Sequence, residues 1–203
     1  MRKILIPLLA FLISSPSIAD EGMWLPHLLK TLNESEMQIK GLKITAEDIY
    51  SVNESSLKDA IVALNGGSCT AEMISSEGLM LTNHHCVDDL LQTHSTVENN
   101  YLEDGFWAMS KSEELKNENL SATFLISIED VTGLFKDSLS IELSEAERNK
   151  KISEISKKIV SDKTDSTSYS ARVRSFYGGN DFYLITYVTY RDVRLVGAPP
   201  FSI

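Results

Sequence analysis

The sequence predicts a mainly β fold with added helices, and three observations predict it. Three short apolar runs, 61–64, 69–74 and 79–82, are separated by glycine-bearing turns and read as an antiparallel meander. Two further runs, 121–130 and 182–190, carry the alternation or the β-branched and aromatic content of strands. Against these stands a single strong helical pattern, 144–160. The chain has 203 residues, the length of one domain or little more. It is 42% hydrophobic and 24% charged, which is ordinary for a globular protein and excludes a disordered chain, a collagen-like fibre or a small disulfide scaffold.

The elements follow in order. Arg2 and Lys3 precede a ten-residue apolar run, Ile4 to Ile13, that is broken only by Pro7 and is too short to span a bilayer. Ser17-Ile18-Ala19 offers small residues where a signal peptidase cuts, so residues 1–19 are expected to be a cleaved secretory leader and Asp20 the mature start. Trp24, Leu25, Leu28, Leu29 and Leu32 recur at near-helical spacing. Thr45-Ala46-Glu47-Asp48 has a hydroxyl cap and first-turn acids, the form of a helix start. Leu57 to Ala60 fits one more short helical turn. In the meander, Asn65-Gly66-Gly67 and Ser75-Ser76-Glu77-Gly78 supply the turns. Val87 to Gln92 reads as a helical turn. Ser121 to Asp130 places Ala122, Phe124, Ile126 and Ile128 on one face of a half-buried strand. In the long helix, Ser144 and Glu147 form a capping box, and Ile152, Ile155 and Ile159 set the period. Residues 162–170 are polar and expected to be loop, and Ala198-Pro199-Pro200 ends the last strand.

Charge narrows the partners. With 29 acidic against 19 basic residues the formal net charge is −10, and removal of the leader would take away Arg2 and Lys3 and make it two units more negative. Nucleic acid and anionic membranes, which both call for a basic surface, are not expected as partners. Export to an oxidising compartment, the periplasm, lets the two cysteines pair.

The chemistry lies between Cys69 and Cys86. A predicted strand runs into Asn83-His84-His85-Cys86, and Cys69 stands seventeen positions earlier on the neighbouring predicted strand. If the strands pair, a Cys69–Cys86 disulfide would pin the histidine-bearing turn to its neighbour. Histidine is suited to a general base because its ordinary pKa of about 6.5 lets it accept and return a proton near neutrality. A zinc site built from Cys69, His84, His85 and Cys86 is the alternative. Adjacent side chains on a strand diverge, and export favours the disulfide, so neither a metal nor an organic cofactor is expected. Asp88 and Asp89 are read as first-turn helix acids. Asp192 is read as structural, His27 and His94 as surface or packing residues, and Trp24 and Trp107 as apolar fillers.

A histidine directly before a cysteine that bonds the facing strand resembles chymotrypsin-like serine peptidases. The longer wording, "GGSCTAEMISSEGLMLTNHHC" with "DEGMW", "EDGFWAM" and "YRDVRLVGAPP", resembles the bacterial dipeptidyl-peptidase 7 and 11 family across the whole mature chain. That resemblance implies the N-terminal part of a chymotrypsin-like double β-barrel. It implies release of dipeptides from the free N-terminus of peptide substrates, and a homodimer for the full-length enzyme. It makes His85 the catalytic histidine and His84 its structural neighbour, with the triad aspartate and serine expected beyond residue 203. No G-x-S-x-G occurs in this sequence. Residues 20–203 are therefore expected to be the N-terminal portion of a truncated catalytic domain, inactive alone and exposing apolar surface. An exported trypsin-like endopeptidase and an inert half-barrel that binds a partner are the alternatives.

Overall fold

The computed structural model describes residues 24–136, 138–139 and 143–201. The expected leader, residues 1–19, lies outside the described residues.

The meander forms as its turn chemistry dictates. β1 (Ile61–Leu64), β2 (Cys69–Met73) and β3 (Met80–Thr82) pair antiparallel in sequence, with Val62 opposite Ala71 and Glu72 opposite Leu81. Three consecutive left-handed residues, Asn65, Gly66 and Gly67, make the first turn. The Asn65 side-chain oxygen accepts from the Ser121 amide at 3.0 Å, which ties this turn to the strand on its other side. The Ser75 hydroxyl organises the second turn by accepting from the amides of Glu77 and Leu79.

The remaining strands are β4 (Phe106–Trp107), β5 (Leu115–Asn117), β6 (Ala122–Asp130), β7 (Tyr169–Phe176), β8 (Asp181–Tyr190), β9 (Val193–Leu195) and β10 (Gly197–Ala198). Six of the ten build one open antiparallel sheet in the order β3-β2-β1-β6-β8-β7. β4 pairs with β10 and β5 with β9 as small ribbons. The fold is thus mostly antiparallel sheet with helices, as the sequence predicts, and no sheet of the described residues closes into a barrel.

Two elements depart from expectation for physical reasons. β6 carries a bulge at Ile126, since Leu125 faces Tyr187 but Ser127 faces Thr186. The simple alternation therefore breaks, and Ser127 and Thr186 are buried instead. The long helix runs Glu145–Thr164, past the expected end and into the supposed loop, and β7 begins at Tyr169 after a short turn. Its Ser144–Glu147 capping box forms. None of its described residues is buried, so it is tied down by polar contacts. Arg148 donates to the Gly179 carbonyl at 2.7 Å and Lys163 meets Glu129 at 2.6 Å.

The core sits beneath the meander. Val62, Leu64, Ala71, Leu120, Ala122 and Val193 are buried together, with Cys69 and Met80 packed against them. A second cluster, Leu91, Leu195 and Ala198, seats the helix that follows the histidines. Burying Leu91 completely is worth about 2 kcal/mol. Phe135 stacks on Phe182 with centroids 4.0 Å apart. The Thr132 hydroxyl beside them accepts from the Phe182 amide and donates to its carbonyl. No helix of the described residues is long and apolar enough to cross a membrane.

Candidate active site

β3 ends at Thr82, not at the histidines. Asn83 is extended, and His84-His85-Cys86 form a single 3-10 turn closed by Cys86 N–H to Asn83 O at 3.0 Å and Val87 N–H to His84 O at 2.9 Å. The helix Asp88–His94 follows directly, with Asp88 and Asp89 in its first turn as expected. Two links fix this turn to β2. A disulfide joins Cys69 to Cys86 with Cα atoms 6.1 Å apart. One step earlier, the Thr82 hydroxyl donates to the Thr70 carbonyl at 2.8 Å.

His85 is exposed at the crest of the turn, and its ring makes no hydrogen bond among the described residues. His84 is more enclosed and bonded. Its Nε2 donates to the Pro199 carbonyl at 3.2 Å, and its Nδ1 lies 2.8 Å from Asp88 Oδ1, an ion-pairing distance without hydrogen-bond alignment. The Phe201 ring meets it edge-on at 5.8 Å. Asn83, both histidines, Asp88 and Pro199 to Phe201 together line a shallow open pocket.

Residues 199–201 reach this pocket through the β4–β10 ribbon, in which Ala198 faces Phe106 and Gly197 faces Trp107. Two glycines allow the approach. A Cβ on Gly105 would lie 2.8 Å from the Ala198 carbonyl oxygen, and one on Gly197 would lie 2.4 Å from the Trp107 ring. Trp107 thus lies over the Gly197 backbone while remaining 66% exposed, and Trp24 is 48% exposed, so neither is the buried filler the sequence suggests.

The other titratable candidates resolve as structural. Asp192 pairs with Arg194 at 2.9 Å, and this hydrogen bond holds its carboxyl below the ordinary value. His94 bonds the Asn117 side chain at 2.9 Å. His27 packs edge-on to Tyr183 at 4.7 Å, and both its ring nitrogens are shielded and unpartnered among the described residues. Burial lowers its pKa against the opposing pull of Asp130.

Cys69, His85 and Cys86 are also the one group of three metal-ligating side chains found among the described residues, with ligand atoms within 4.8 Å of one another. The expectation that neighbouring side chains would diverge rested on a strand. On a 3-10 turn, successive residues are separated by about 120° rather than 180°, and His85 and Cys86 converge. The two sulfurs are bonded to each other, and this state offers no thiolate to a metal.

Residues 19–203 match the family model described as Peptidase S46. The chain belongs to the peptidase S46 family. It is 48% identical over 200 residues to the Asp/Glu-specific dipeptidyl-peptidase of Flavobacterium psychrophilum, covering 98% of this chain and 28% of that one. It is 43% identical over 203 residues to dipeptidyl-peptidase 7 of Capnocytophaga gingivalis, again covering 98% of this chain and 28% of the relative. Among solved structures it is similar to Porphyromonas endodontalis DPP11, at a TM-score of 0.75 and 41% identity over 91% of this chain and 26% of the other. The complex of that protein with the dipeptide Arg-Glu matches at 0.73 and 42%, over 91% of this chain and 28% of that one. The chain thus spans little more than a quarter of the length of these relatives.

Proposed function

We propose that this chain is the N-terminal portion of the catalytic domain of an exported serine-type dipeptidyl-peptidase, and that His85 is its general base. One observation carries the reading. In a peptidase S46 chain, the histidine that directly precedes the bonded cysteine stands exposed on a turn clamped to β2, at the edge of an open pocket. A base must be held to about 0.5 Å of its productive place, and the disulfide, the Thr82–Thr70 bond and the following helix supply that restraint. His84 faces Pro199 and Asp88 and is the neighbour that ties the turn to the 199–201 segment.

In the complete enzyme a serine beyond residue 203 attacks the peptide carbonyl two residues from a free amino terminus. His85 takes the hydroxyl proton and returns it to the leaving amine, while an aspartate, also beyond residue 203, holds the imidazole in the productive tautomer. The six-stranded sheet contributes to the first barrel of a chymotrypsin-like pair. Residues 1–19 direct export to the periplasm, and residues 20–203 are the first part of the catalytic domain. The full-length enzyme is a homodimer. The relatives named above are dipeptidyl-peptidases, which favours the exopeptidase over an endopeptidase.

The test uses the complete gene product and chromogenic dipeptide substrates with free or blocked amino termini. His85→Ala lowers kcat about 10⁴-fold or more with the fold intact, and blocked substrates are not cleaved. Residues 20–203 alone give no turnover. Turnover by that shorter chain, abolished by His85→Ala, would show that the nucleophile lies within it and overturn the assignment.

A further inference from the structure

The three donors beside the turn have a second chemistry that the disulfide conceals. The ligand atoms of Cys69, His85 and Cys86 lie within 4.8 Å of one another, and the two Cα atoms of the cysteines are 6.1 Å apart. A tetrahedral ion bound by two thiolates at about 2.3 Å sets its sulfurs about 3.8 Å apart, and a nitrogen at about 2.1 Å then lies about 3.6 Å from each sulfur. Once the S–S bond opens, the sulfurs need part by less than about 2 Å, and the imidazole needs to close by about 1 Å, to meet that geometry. With the Cα atoms held 6.1 Å apart, both movements fall to the side-chain torsions of the three residues. His85 is exposed and its ring has no hydrogen bond to give up among the described residues.

We propose that reduction converts the Cys69–Cys86 disulfide, with His85, into a two-sulfur, one-nitrogen site for zinc or another thiophilic divalent cation. A dithiol reductant supplies the two electrons and two protons that open the disulfide, and is itself oxidised to a cyclic disulfide. The two thiols then lose their protons to solvent as the cation binds the thiolates, and an imidazole nitrogen of His85 donates its lone pair as the third ligand. A water fills the fourth position, on the exposed side of His85. Soft sulfur donors select zinc over magnesium or calcium. The metal site stands on geometry alone. Its consequence for activity rests on the proposed role of His85, because an imidazole nitrogen committed to the ion cannot take a proton from the nucleophile.

Cobalt(II) is the probe, since two thiolates and a tetrahedral field give it near-ultraviolet charge-transfer and visible absorption bands. The chain is reduced with a phosphine, freed of reductant under inert gas and titrated. One equivalent binds with both sets of bands, and zinc displaces it. The oxidised chain and Cys69→Ser in reduced form show no two-thiolate spectrum. His85→Ala weakens binding at least 10-fold. Absence of the bands in a reduced chain with native circular dichroism, or equal affinity in His85→Ala, overturns the proposal. If reduction unfolds the chain, zinc must restore the native circular dichroism, and failure to do so overturns it equally. None of these readouts uses peptidase activity, so an inactive enzyme and an absent metal site are told apart.

Discussion

Replacing both cysteines, as Cys69→Ala with Cys86→Ala, isolates what the disulfide does for the turn that carries His85. The bond closes a loop of 17 residues. In the chain-entropy treatment such a loop restricts the unfolded ensemble by about 3 kcal/mol at 25 °C. Cys69 also packs against the core under the meander, so loss of its sulfur adds up to about 1 kcal/mol. The expected total is about 3–4 kcal/mol, or roughly 6–16 °C in Tm for a chain of this length. Little inside the loop would compensate. β2 and β3 share three registered residue pairs, and Leu81 in the middle of β3 is exposed. Urea and thermal unfolding followed by circular dichroism give the global loss, and amide exchange across 80–88 gives the local one. The amides around the histidine turn should lose protection first, because the disulfide is the one covalent tie on that turn and the rest are the Thr82 hydroxyl bond, the His84–Pro199 bond and the helix that follows. A global loss under about 1 kcal/mol with unchanged protection at 80–88 would refute the clamp, and would mean that the ladder and the helix after Val87 hold the turn unaided.

Three further outcomes are expected. Gly105→Ala should cost about 2–3 kcal/mol and weaken the β4–β10 ribbon, because Gly105 has φ +79° and ψ 175°, a region essentially reserved for glycine, and its Cβ would meet the Ala198 carbonyl oxygen at 2.8 Å; thermal unfolding checks this, and a loss within 0.5 kcal/mol contradicts it. Ser144→Ala should cost about 1 kcal/mol by leaving the Glu147 amide uncapped, read from the urea midpoint with Ser144→Asn as the rescuing variant. Burial pushes the Glu129 carboxyl up, but bonds from Lys163 at 2.6 Å and Ser127 at 2.7 Å outweigh it and hold the group below its ordinary value. Its stabilisation is therefore complete above the unfolded pKa of about 4.3 and fades as the pH falls through the lower folded value, so Glu129→Gln should flatten the acid limb of the Tm–pH curve, and an unchanged limb would contradict the assignment.

What the sequence discloses and conceals follows from the kind of contact involved. The meander is legible because its runs are apolar on the buried side and its turns need residues that accept positive φ, as Asn65, Gly66, Gly67 and Gly78 do. The 145–164 helix is legible from its cap and its isoleucines, but its end is not. With none of its described residues buried, polar residues 161–164 look like loop whether or not the helix continues. β7 escapes for the same reason: it is an edge strand whose Ser170, Arg172 and Arg174 are exposed, so no apolar period marks it. The Ile126 bulge sits in the apolar triplet Phe124-Leu125-Ile126, where the alternation falters without showing which residue is the extra one. The placement of Asp88 in a helix start and the nearness of Cys69 to Cys86 could be read because local spacing and export bear on them.

The pocket itself could not be read, because it is built from contacts that no local pattern encodes. His84 and Pro199 are 115 residues apart, and a histidine beside a histidine gives no hint that one ring is bonded while the other has no hydrogen bond among the described residues. The nearest signal is indirect. Gly105 precedes the aromatic pair Phe106-Trp107, and Gly197 precedes Ala198-Pro199-Pro200; each glycine is needed because a backbone or a ring passes where a Cβ would be. Read together, the two glycines mark one site of close approach, the ribbon that delivers Pro199 to His84. The same geometry explains the division of labour between the histidines. The His84 ring bonds Pro199 and faces Asp88, whereas the exposed His85 ring has no hydrogen bond among the described residues, which is what the proposed role of His85 as base requires.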